Sequence, residues 1–272
     1  MIIYPNAKIN LGLNVVERRP DGYHNIETIF YPIGIQDVLS IETSETCTDY
    51  SFSSSGIMVD GDPENNLIVK AYHLLRSAYE FPPVDIALHK QIPFGAGLGG
   101  GSSDAAFTLK ALNELYDLNI STRKLETLAT KLGADCAFFI KNKPVYAEGI
   151  GNVFSTVKVS LKNYWMLLVK PDIHVSTAEA YAGIIPTASE KPLTELIKLP
   201  IEEWKRVIKN DFEKTVFEKQ PEIGYIKDNL YKLGAKYASM SGSGSSVYGI
   251  FAEKPHFENY FEGYFTACGL LD

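Results

Sequence analysis

The chain is richest in glycine between Pro93 and Ser103, where it reads Pro93-Phe-Gly-Ala-Gly-Leu-Gly-Gly-Gly-Ser-Ser103. Because glycine lacks a Cβ, successive backbone N–H groups can turn toward one anion and adopt positive φ. The two serines stand at the start of a helical pattern, where the helix dipole also attracts negative charge. Their hydroxyls can serve as helix cap, phosphate donor or Mg²⁺ ligand. We therefore expect this loop to hold the phosphates of a nucleotide.

Three known phosphate loops compete for this stretch. Gly95-x-Gly97-x-x-Gly100 also matches the dinucleotide fingerprint, but that unit needs a strand after its helix, and here a second helical pattern follows. A Walker A loop needs Lys-Ser/Thr after the last glycine, and Gly101 is followed by two serines. A protein kinase would carry HRD and DFG, and neither tripeptide occurs. A Rossmann oxidoreductase stays an alternative that a nicotinamide absorbance assay would reveal.

The opening segment supplies a candidate basic residue on a strand. Ile9, Leu11 and Leu13 alternate with Lys8 and Asn10, which predicts a strand with one apolar and one polar face. A lysine at such a position is either a solvated strand charge or part of a site. The Asp21-Gly22 pair predicts a hairpin turn before a second apolar run over residues 26–35.

The rest of the chain mixes helical and strand patterns. We expect helices after Asn66, after Ser103 and from Ser121 to Gly133, and a polar connection over Ser51–Gly56. Later helices are expected over residues 177–183, 194–210 and 221–233, and strands over 84–88, 145–147, 153–159, 164–169, 236–239 and 247–251. Without regular βαβ alternation, this order favours an α+β fold. A new succession of strand and helix patterns begins near Asn163. We therefore place a domain boundary between residues 160 and 161, giving domains of 1–160 and 161–272.

The composition is that of a globular cytoplasmic protein. The chain has 272 residues, a net charge of −7 and no basic block, which argues against a nucleic-acid partner. No apolar stretch is long enough to span a membrane, and no signal peptide is recognised. Three scattered cysteines (Cys47, Cys136 and Cys268) predict reduced thiols rather than a disulfide framework or a zinc site. Nothing in the sequence indicates an oligomeric state.

The chain resembles the GHMP kinase superfamily in five segments. The glycine loop, extended through Asp104-Ala-Ala106, looks like the superfamily's ATP motif in its triple-glycine version. The other four are Pro5-Asn-Ala-Lys-Ile-Asn-Leu-Gly-Leu13, Asp21-Gly-Tyr-His24, Leu132-Gly-Ala-Asp-Cys-Ala-Phe-Phe139 and Ser239-Met-Ser-Gly-Ser-Gly-Ser-Ser246. The resemblance runs from residue 5 to about residue 251. It implies the two-domain GHMP kinase fold, with an N-terminal domain like domain 2 of ribosomal protein S5 and a ferredoxin-like C-terminal domain.

The resemblance also implies the cofactors and the catalytic pair. Lys8 and Asp135 correspond to the family's catalytic lysine and aspartate. From its position before an apolar run alone, Asp135 would instead be expected to cap a helix. ATP and Mg²⁺ are the implied cofactors. No dedicated acidic Mg²⁺ ligand is identified, so we expect the metal to be held largely by phosphates, water and a serine, for which Ser103 is the candidate. Asn66 either borders the adenine or caps the next helix. Asp104 either lies at the Mg²⁺ ion or caps a helix. The implied ATP-binding residues are Pro93, Phe94, Gly95, Ala96, Gly97, Leu98, Gly99, Gly100, Gly101, Ser102, Ser103 and Asn66.

The Asp21–His24 segment implies the acceptor. It is similar to the branch of the superfamily that phosphorylates the 2-hydroxyl of a cytidine diphosphate derivative of methylerythritol, in the non-mevalonate (MEP) isoprenoid pathway. A planar base needs a stacking ring and a hydrogen-bonding partner at its edge. Tyr23 and His24 are the implied pair, Tyr181 is the second aromatic, Thr177 is a polar contact, and Asn10 binds the sugar-alcohol end.

Two alternatives share this fold. One is a kinase for another small alcohol, of the homoserine or mevalonate type, and the other is a non-catalytic nucleotide sensor. The triple glycine and the Asp21–His24 segment count against the first, because an acceptor without cytosine does not need the latter. Lys8 and Asp135 count against the second, because a sensor would be expected to lack one of them.

Overall fold

The computed structural model describes residues 1–58 and 62–271. Its strands are β1 (Ile2–Ile3), β2 (Asn6–Arg18), β3 (His24–Gln36), β4 (Val38–Thr43), β5 (Tyr50–Gly56), β6 (Val84–Lys90), β7 (Val145–Glu148), β8 (Val153–Thr156), β9 (Trp165–Lys170), β10 (Tyr237–Met240), β11 (Val247–Phe251) and β12 (Phe265–Leu270). Its α-helices are α1 (Leu67–Arg76), α2 (Gly100–Leu115), α3 (Thr122–Thr130), α4 (Cys136–Lys141), α5 (Thr177–Tyr181), α6 (Leu193–Leu196), α7 (Ile201–Val207), α8 (Phe212–Lys219) and α9 (Pro221–Lys232). None of the helices within these described ranges is long and apolar enough to cross a membrane.

The chain divides into two compact units that interleave in sequence. The first combines residues 1–7, 35–94 and 99–143, and the second combines residues 8–34, 95–98 and the chain from 144 onward. The glycine loop therefore passes from the first unit into the second and back again. Both units take their residues from several segments of the chain, whereas the prediction was one boundary between two continuous domains. The two units do not test that boundary, so its position between residues 160 and 161 stays a prediction.

The first unit contains a sheet and the helices α1 to α4. Its strand order is β1-β4-β6-β5, with β5 and β6 parallel and the other pairs antiparallel. Alternate residues of β6 are buried, and the last of them, Lys90, lies just before the glycine loop. This strand thus delivers the chain from the core directly to the candidate phosphate site.

The second unit contains two antiparallel sheets, ordered β2-β3-β7-β8 and β10-β11-β9-β12. Leu13 and Val15 of β2 pack in one core with Leu167 and Val169 of β9, together with apolar residues of α8 and α9. An isolated parallel bridge joins Leu13 to Asn210. These contacts fix the polar face of β2, which carries Lys8 and Asn10, relative to the loop between β10 and β11.

The sequence predicted much of this architecture, and the α+β class is confirmed. The β2–β3 hairpin, the strands β6, β7, β9 and β11, and the helices α1, α2, α3 and α9 lie where their patterns placed them. The polar connection predicted over Ser51–Gly56 is wrong, because this segment is β5, an exposed edge strand paired with β6. The helix predicted over 194–210 is interrupted before Pro200, which cannot donate a helical hydrogen bond.

Candidate active site

Strand β2 places Lys8 in the interior of the second unit. Lys8 is only 4% exposed, so the interpretation as a solvated strand charge is wrong. A buried ammonium needs acceptors, and Lys8 Nζ donates to Asn10 Oδ1 at 2.7 Å and to the carbonyl oxygen of Gly97 at 3.0 Å. The ammonium also lies 5.0 Å from the ring centre of Phe30, on its face. Lys8 is therefore held in a defined direction at the glycine loop.

Asn10 is equally buried and has one orientation. Its Oδ1 accepts from Lys8, while its Nδ2 donates to Thr28 Oγ1 at 2.9 Å. Tyr248 OH donates to the backbone carbonyl of Asn10 at 2.7 Å. The amide oxygen is thus committed to the lysine, so Asn10 orients Lys8, and its contact with the acceptor stays a prediction.

The part of the glycine loop in the second unit packs against the loop between β10 and β11. Gly95 and Gly97 have φ of +61° and +75°, and a Cβ on Gly97 would lie 1.9 Å from the carbonyl oxygen of Ser241. Ser241 Oγ donates to the carbonyl oxygen of Gly97 at 2.9 Å. The glycine at position 97 is therefore required by backbone conformation and by space.

The part of the glycine loop in the first unit forms the start of α2. Gly99, at φ +70°, is the N-cap and has no side chain with which to cap the helix. The first-turn amides of Gly100, Gly101 and Ser102 are therefore left without a capping side chain, which is the arrangement that suits an anion. Capping was one of the alternatives for Ser102, Ser103 and Asp104, and this alternative is wrong, because α2 begins at Gly100 and contains all three residues.

The hydroxyl of Ser103 fits a phosphate oxygen or a metal ion. The residue is completely buried, and its Oγ has no hydrogen-bond partner in the described part of the chain. An orphaned buried hydroxyl is costly unless a ligand satisfies it. Within residues 1–58 and 62–271, no group of three or more His, Cys, Asp or Glu side chains is arranged to hold a metal. The orphaned hydroxyl of Ser103 fits a phosphate-bound metal ion, and its role as a metal ligand stays a prediction.

Asp104 belongs to a buried ionic cluster beneath the start of α2. Lys90 Nζ donates to Asp104 Oδ2 at 2.8 Å and also pairs with Asp37 Oδ2. Asp37 Oδ1 accepts the backbone N–H groups of Gln91 and Ile92 at 2.6 and 2.8 Å, whereas Asp104 Oδ1 has no partner among the described residues. Burial raises the pKa of Asp104 to about 7, against the opposing effect of Lys90. This cluster anchors the strand–loop–helix connection.

Asp135 stands at the N-cap position of α4 in the first unit. Its side chain makes no capping hydrogen bond, so the alternative role of Asp135 as a helix cap is not supported. Burial raises the pKa of the neighbouring Cys136 thiol to about 11, so it stays protonated. Lys8 belongs to the second unit and Asp135 to the first, and their action as a pair stays a prediction.

Two of the aromatic residues predicted for the acceptor contact each other in the second unit. The rings of His24 and Tyr181 stack, with centroids 4.6 Å apart and an interplanar angle of 17°. Tyr181 also meets the edge of Phe212 at 4.8 Å, which supports it from the core. Tyr23 is 62% exposed, and Thr177 is the first residue of α5, whose last residue is Tyr181. The structure thus joins two of these residues, and their binding role stays a prediction.

Of the remaining predicted ATP contacts, Ala96 and Leu98 are buried in the second unit, where their part in ATP binding stays a prediction, and the others lie in the first unit. Asn66 caps α1, its Oδ1 accepting the Ile68 amide at 2.9 Å, so the cap alternative is observed and the adenine role stays a prediction. Pro93 is buried and Phe94 is exposed. No described contact assigns either of them to a ligand, and their part in ATP binding also stays a prediction.

Sequence reasoning missed the residues that support this site from a distance. Asn210 Nδ2 donates to the carbonyl oxygens of Met240 and Gly242, each at 2.8 Å. Glu213 Oε1 accepts the Met240 amide at 2.9 Å, and Tyr248 holds β2 as described above. Asn210 and Glu213 share the Asn-Asp-Phe-Glu segment just after a helix, which is the only local signal they give.

Comparison with known proteins shows the family to which the chain belongs. Residues 66–143 match the model of the GHMP kinases N terminal domain, and residues 193–262 match that of the GHMP kinases C terminal domain. A 4-diphosphocytidyl-2-C-methyl-D-erythritol kinase of Bacteroides thetaiotaomicron is 57% identical over 252 residues, covering 92% of each chain. Its counterpart in Parabacteroides distasonis is 55% identical over 273 residues, covering 100% of this chain and 98% of the relative.

A solved structure agrees. The crystal structure of a 4-(cytidine 5'-diphospho)-2C-methyl-D-erythritol kinase matches with a TM-score of 0.79 and 32% identity, covering 92% of this chain and 90% of that one. The fold, the glycine loop and the family matches define the chain as a GHMP kinase, an ATP-dependent kinase of small molecules. It belongs to the family of 4-diphosphocytidyl-2-C-methyl-D-erythritol kinases. The predicted superfamily and fold are confirmed, and the Rossmann alternative is wrong.

Proposed function

We propose that this chain transfers the γ-phosphoryl group of ATP to the 2-hydroxyl of 4-diphosphocytidyl-2-C-methyl-D-erythritol, a step of the MEP isoprenoid pathway. The observation that carries the proposal lies within the second unit. A buried lysine is fixed on the carbonyl of Gly97, and the same unit holds the stacked rings of His24 and Tyr181. The buried lysine suits phosphoryl transfer and the stacked rings suit a nucleobase, and the names of the relatives described above agree.

The phosphates of ATP are assigned to the glycine loop and the first turn of α2. The uncapped amides that follow Gly99 supply N–H donors together with the positive end of the helix dipole. Ser103 Oγ, buried without a partner, is the candidate ligand for Mg²⁺. When bound, Mg²⁺ neutralises negative charge on the phosphate oxygens. This local arrangement binds a triphosphate without a basic surface.

Lys8 and Asp135 are assigned the chemistry. The carboxylate of Asp135 accepts the proton of the acceptor hydroxyl as that oxygen bonds to the γ-phosphorus, and the bond from phosphorus to the bridging oxygen of ADP breaks. Lys8 offsets negative charge on the transferring group. Phosphoryl transfer has a loose transition state, so positioning and charge matter more than the strength of the base. The buried, doubly hydrogen-bonded Lys8 ammonium supports this role.

The cytosine is assigned to the aromatic residues. Tyr181, packed against Phe212 and stacked on His24, is assigned as a stacking ring. His24 is assigned as the hydrogen-bonding partner of the base, and the exposed ring of Tyr23 can cover the other face of the base. Thr177 and Asn10 are assigned as further polar contacts of the acceptor. A cytoplasmic location is part of the proposal, since three free cysteines suit a reducing compartment.

The test is an ADP-release assay on the purified chain with three acceptors. We expect release with 4-diphosphocytidyl-2-C-methyl-D-erythritol and background release with homoserine and mevalonate. Phosphorus NMR of the product should show a new phosphomonoester on the methylerythritol carbon that carried the tertiary hydroxyl. Release that rises only with homoserine or mevalonate would refute the acceptor while leaving the kinase class intact.

A further inference from the structure

His174 lies beside the first glycine of the phosphate loop, outside every residue assigned above. It stands on the connection between β9, which ends at Lys170, and α5, which begins at Thr177. A Cβ built on Gly95 would lie 2.9 Å from both Nδ1 and Cε1 of the imidazole. The ring therefore packs against the loop on the side where any larger residue at position 95 would collide with it.

The backbone on both sides of His174 is held in place. The carbonyl oxygen of Ile173 accepts Ser245 Oγ at 2.6 Å, and Val175 is buried in the core of the second unit. Ser176 then forms a capping box with Glu179 at the start of α5. An exposed side chain on such a fixed backbone is already positioned for a ligand, which reduces the ordering cost of binding.

Apart from its packing against Gly95, the imidazole has no hydrogen-bonding partner among the described residues. It is exposed, and no hydrogen bond to its nitrogens is formed within the described ranges. The nearby Glu179 carboxylate has a lowered pKa, caused first by its hydrogen bond from Ser176 and only weakly by His174. Glu179 is thus committed to the cap, and the imidazole is free to donate an N–H to a ligand.

The position of His174 matches the middle of the proposed acceptor. This ligand is elongated, with cytosine at one end, the reacting hydroxyl at the other and a diphosphate between them. The stacked His24 and Tyr181 mark the base end, and Lys8 on the Gly97 carbonyl marks the reacting end. The segment from His174 to Tyr181 runs from the contact with Gly95 to the stack on His24, so a diphosphate that joins the two ends of the acceptor would pass along this segment.

We propose that His174 binds the diphosphate of the acceptor, donating an imidazole N–H to a phosphate oxygen, and that it thereby favours cytidine diphosphate derivatives over acceptors without phosphate. This inference rests on the proposed function. The phosphates of ATP are assigned to the amides of the loop and of α2, so the diphosphate of the acceptor is left without an assigned donor. Hydrogen bonds to ionised phosphate are stronger than neutral ones.

The test measures binding of cytidine, CMP and CDP to the full chain by calorimetry, with the ATP site filled by a non-hydrolysable ATP analogue. We expect His174→Ala to weaken CDP about tenfold, the loss of one charge-assisted hydrogen bond, while cytidine binds as in the wild type. His174→Gln keeps an N–H donor and should recover most of the CDP affinity. His256→Ala removes another exposed histidine and should change none of the affinities.

The other outcomes overturn the inference. Equal weakening of cytidine and CDP would mean that the ring acts on the base or on the fold. Unchanged CDP binding in His174→Ala, with full turnover of the cytidine acceptor by the wild type, would refute the role of His174 alone. If His174→Ala weakens binding of the ATP analogue and leaves CDP binding unchanged, the ring belongs to the ATP site. A wild-type chain that neither binds CDP nor phosphorylates the acceptor would refute the proposed function together with this inference.

Discussion

Lys8 and Ser241 donate to the same atom, the carbonyl oxygen of Gly97. Lys8 Nζ lies 3.0 Å from it and Ser241 Oγ lies 2.9 Å from it. The loop between β10 and β11 therefore sets the direction of the carbonyl that holds the candidate catalytic ammonium. Asn210 fixes that loop through the carbonyls of Met240 and Gly242. The placement of Lys8 thus depends on residues distant from it in sequence.

Ser241→Ala should lower kcat clearly while lowering the free energy of unfolding only slightly. One neutral hydrogen bond contributes about 1 kcal/mol, and its loss lets the Gly97 carbonyl turn, so we expect kcat to fall about tenfold while KM for ATP changes little. Steady-state ADP release and thermal denaturation measure the two effects. Ser243→Ala, in the same loop, is the control. A large fall in Tm with unchanged kcat would show that Ser241 serves only the fold.

Gly97→Ala should destabilise the protein, whereas Gly101→Ala should not. At position 97 a Cβ meets the Ser241 carbonyl oxygen at 1.9 Å and φ is +75°, so both space and backbone oppose the substitution. At position 101 the nearest atom to a Cβ is 3.9 Å away, on Leu67. We expect Gly97→Ala to cost more than about 3 kcal/mol or to prevent folding. Gly101→Ala, on a helix, should be neutral or stabilising by up to about 1 kcal/mol. Urea unfolding decides, and equal effects at both positions would contradict the close contact of the two loops.

Lys8→Ala and Asp135→Asn should each lower turnover by a factor on the order of 10²–10⁴, the usual effect of losing a charge stabiliser or a general base. Lys131→Ala removes an exposed lysine and serves as the control. Single-turnover assays with saturating ATP separate the chemical step from binding. Turnover at the wild-type rate in Asp135→Asn would falsify the assigned mechanism.

Tyr181→Ala should raise KM for the cytidine acceptor by about ten- to hundredfold, since stacking of an aromatic ring on a base contributes about 1–3 kcal/mol. Tyr181→Phe keeps the ring that stacks on His24 and should stay near the wild type. KM for ATP should not move in either variant. Tyr225→Ala, at an exposed tyrosine of α9, controls for loss of a ring. Equal rises in both KM values would instead indicate a general disturbance of the unit.

The fold was readable from the sequence where local patterns are strong. Alternation around Ile9 and Leu11 predicted β2, and Asp21-Gly22 predicted its hairpin. The edge strand β5 was not recognised because its segment Ser53–Ser55 is polar. A strand at an exposed sheet edge can form without an apolar face. Strand β12, with Gly269 within it, was not predicted at all, because its place is set by pairing with β9.

The site was less readable than the fold. The strand face paired Lys8 with Asn10, but a carbonyl shared by Lys8 and Ser241 joins residues that no local pattern connects. The stack of His24 on Tyr181 followed from the family resemblance and not from spacing. Burial, which turns Lys8 from a solvated charge into a fixed one, is a property of the assembled core.

Asp104→Asn should flatten the pH dependence of stability. Asp104 is 3% exposed and shares Lys90 with Asp37, and burial raises its pKa from 3.8 to about 7. Between these values the folded state holds a proton that the unfolded state has released. The free energy of unfolding contributed by this group is therefore fully present below about pH 4 and is lost as the pH rises through about 7.

The measurement is the difference in unfolding free energy between wild type and Asp104→Asn, from urea titrations between about pH 4 and pH 8. The amide keeps the shape of the protonated acid without its titration, so we expect the variant to gain on the wild type by an amount on the order of 1–3 kcal/mol across this window. Asp228→Asn, at an exposed position of α9, should show no such trend. A difference that stays constant with pH would mean that Asp104 is ionised in the folded protein throughout. Lys90 would then neutralise both carboxylates against the cost of burial, and the start of α2 would rest on a charged cluster rather than on a neutral acid.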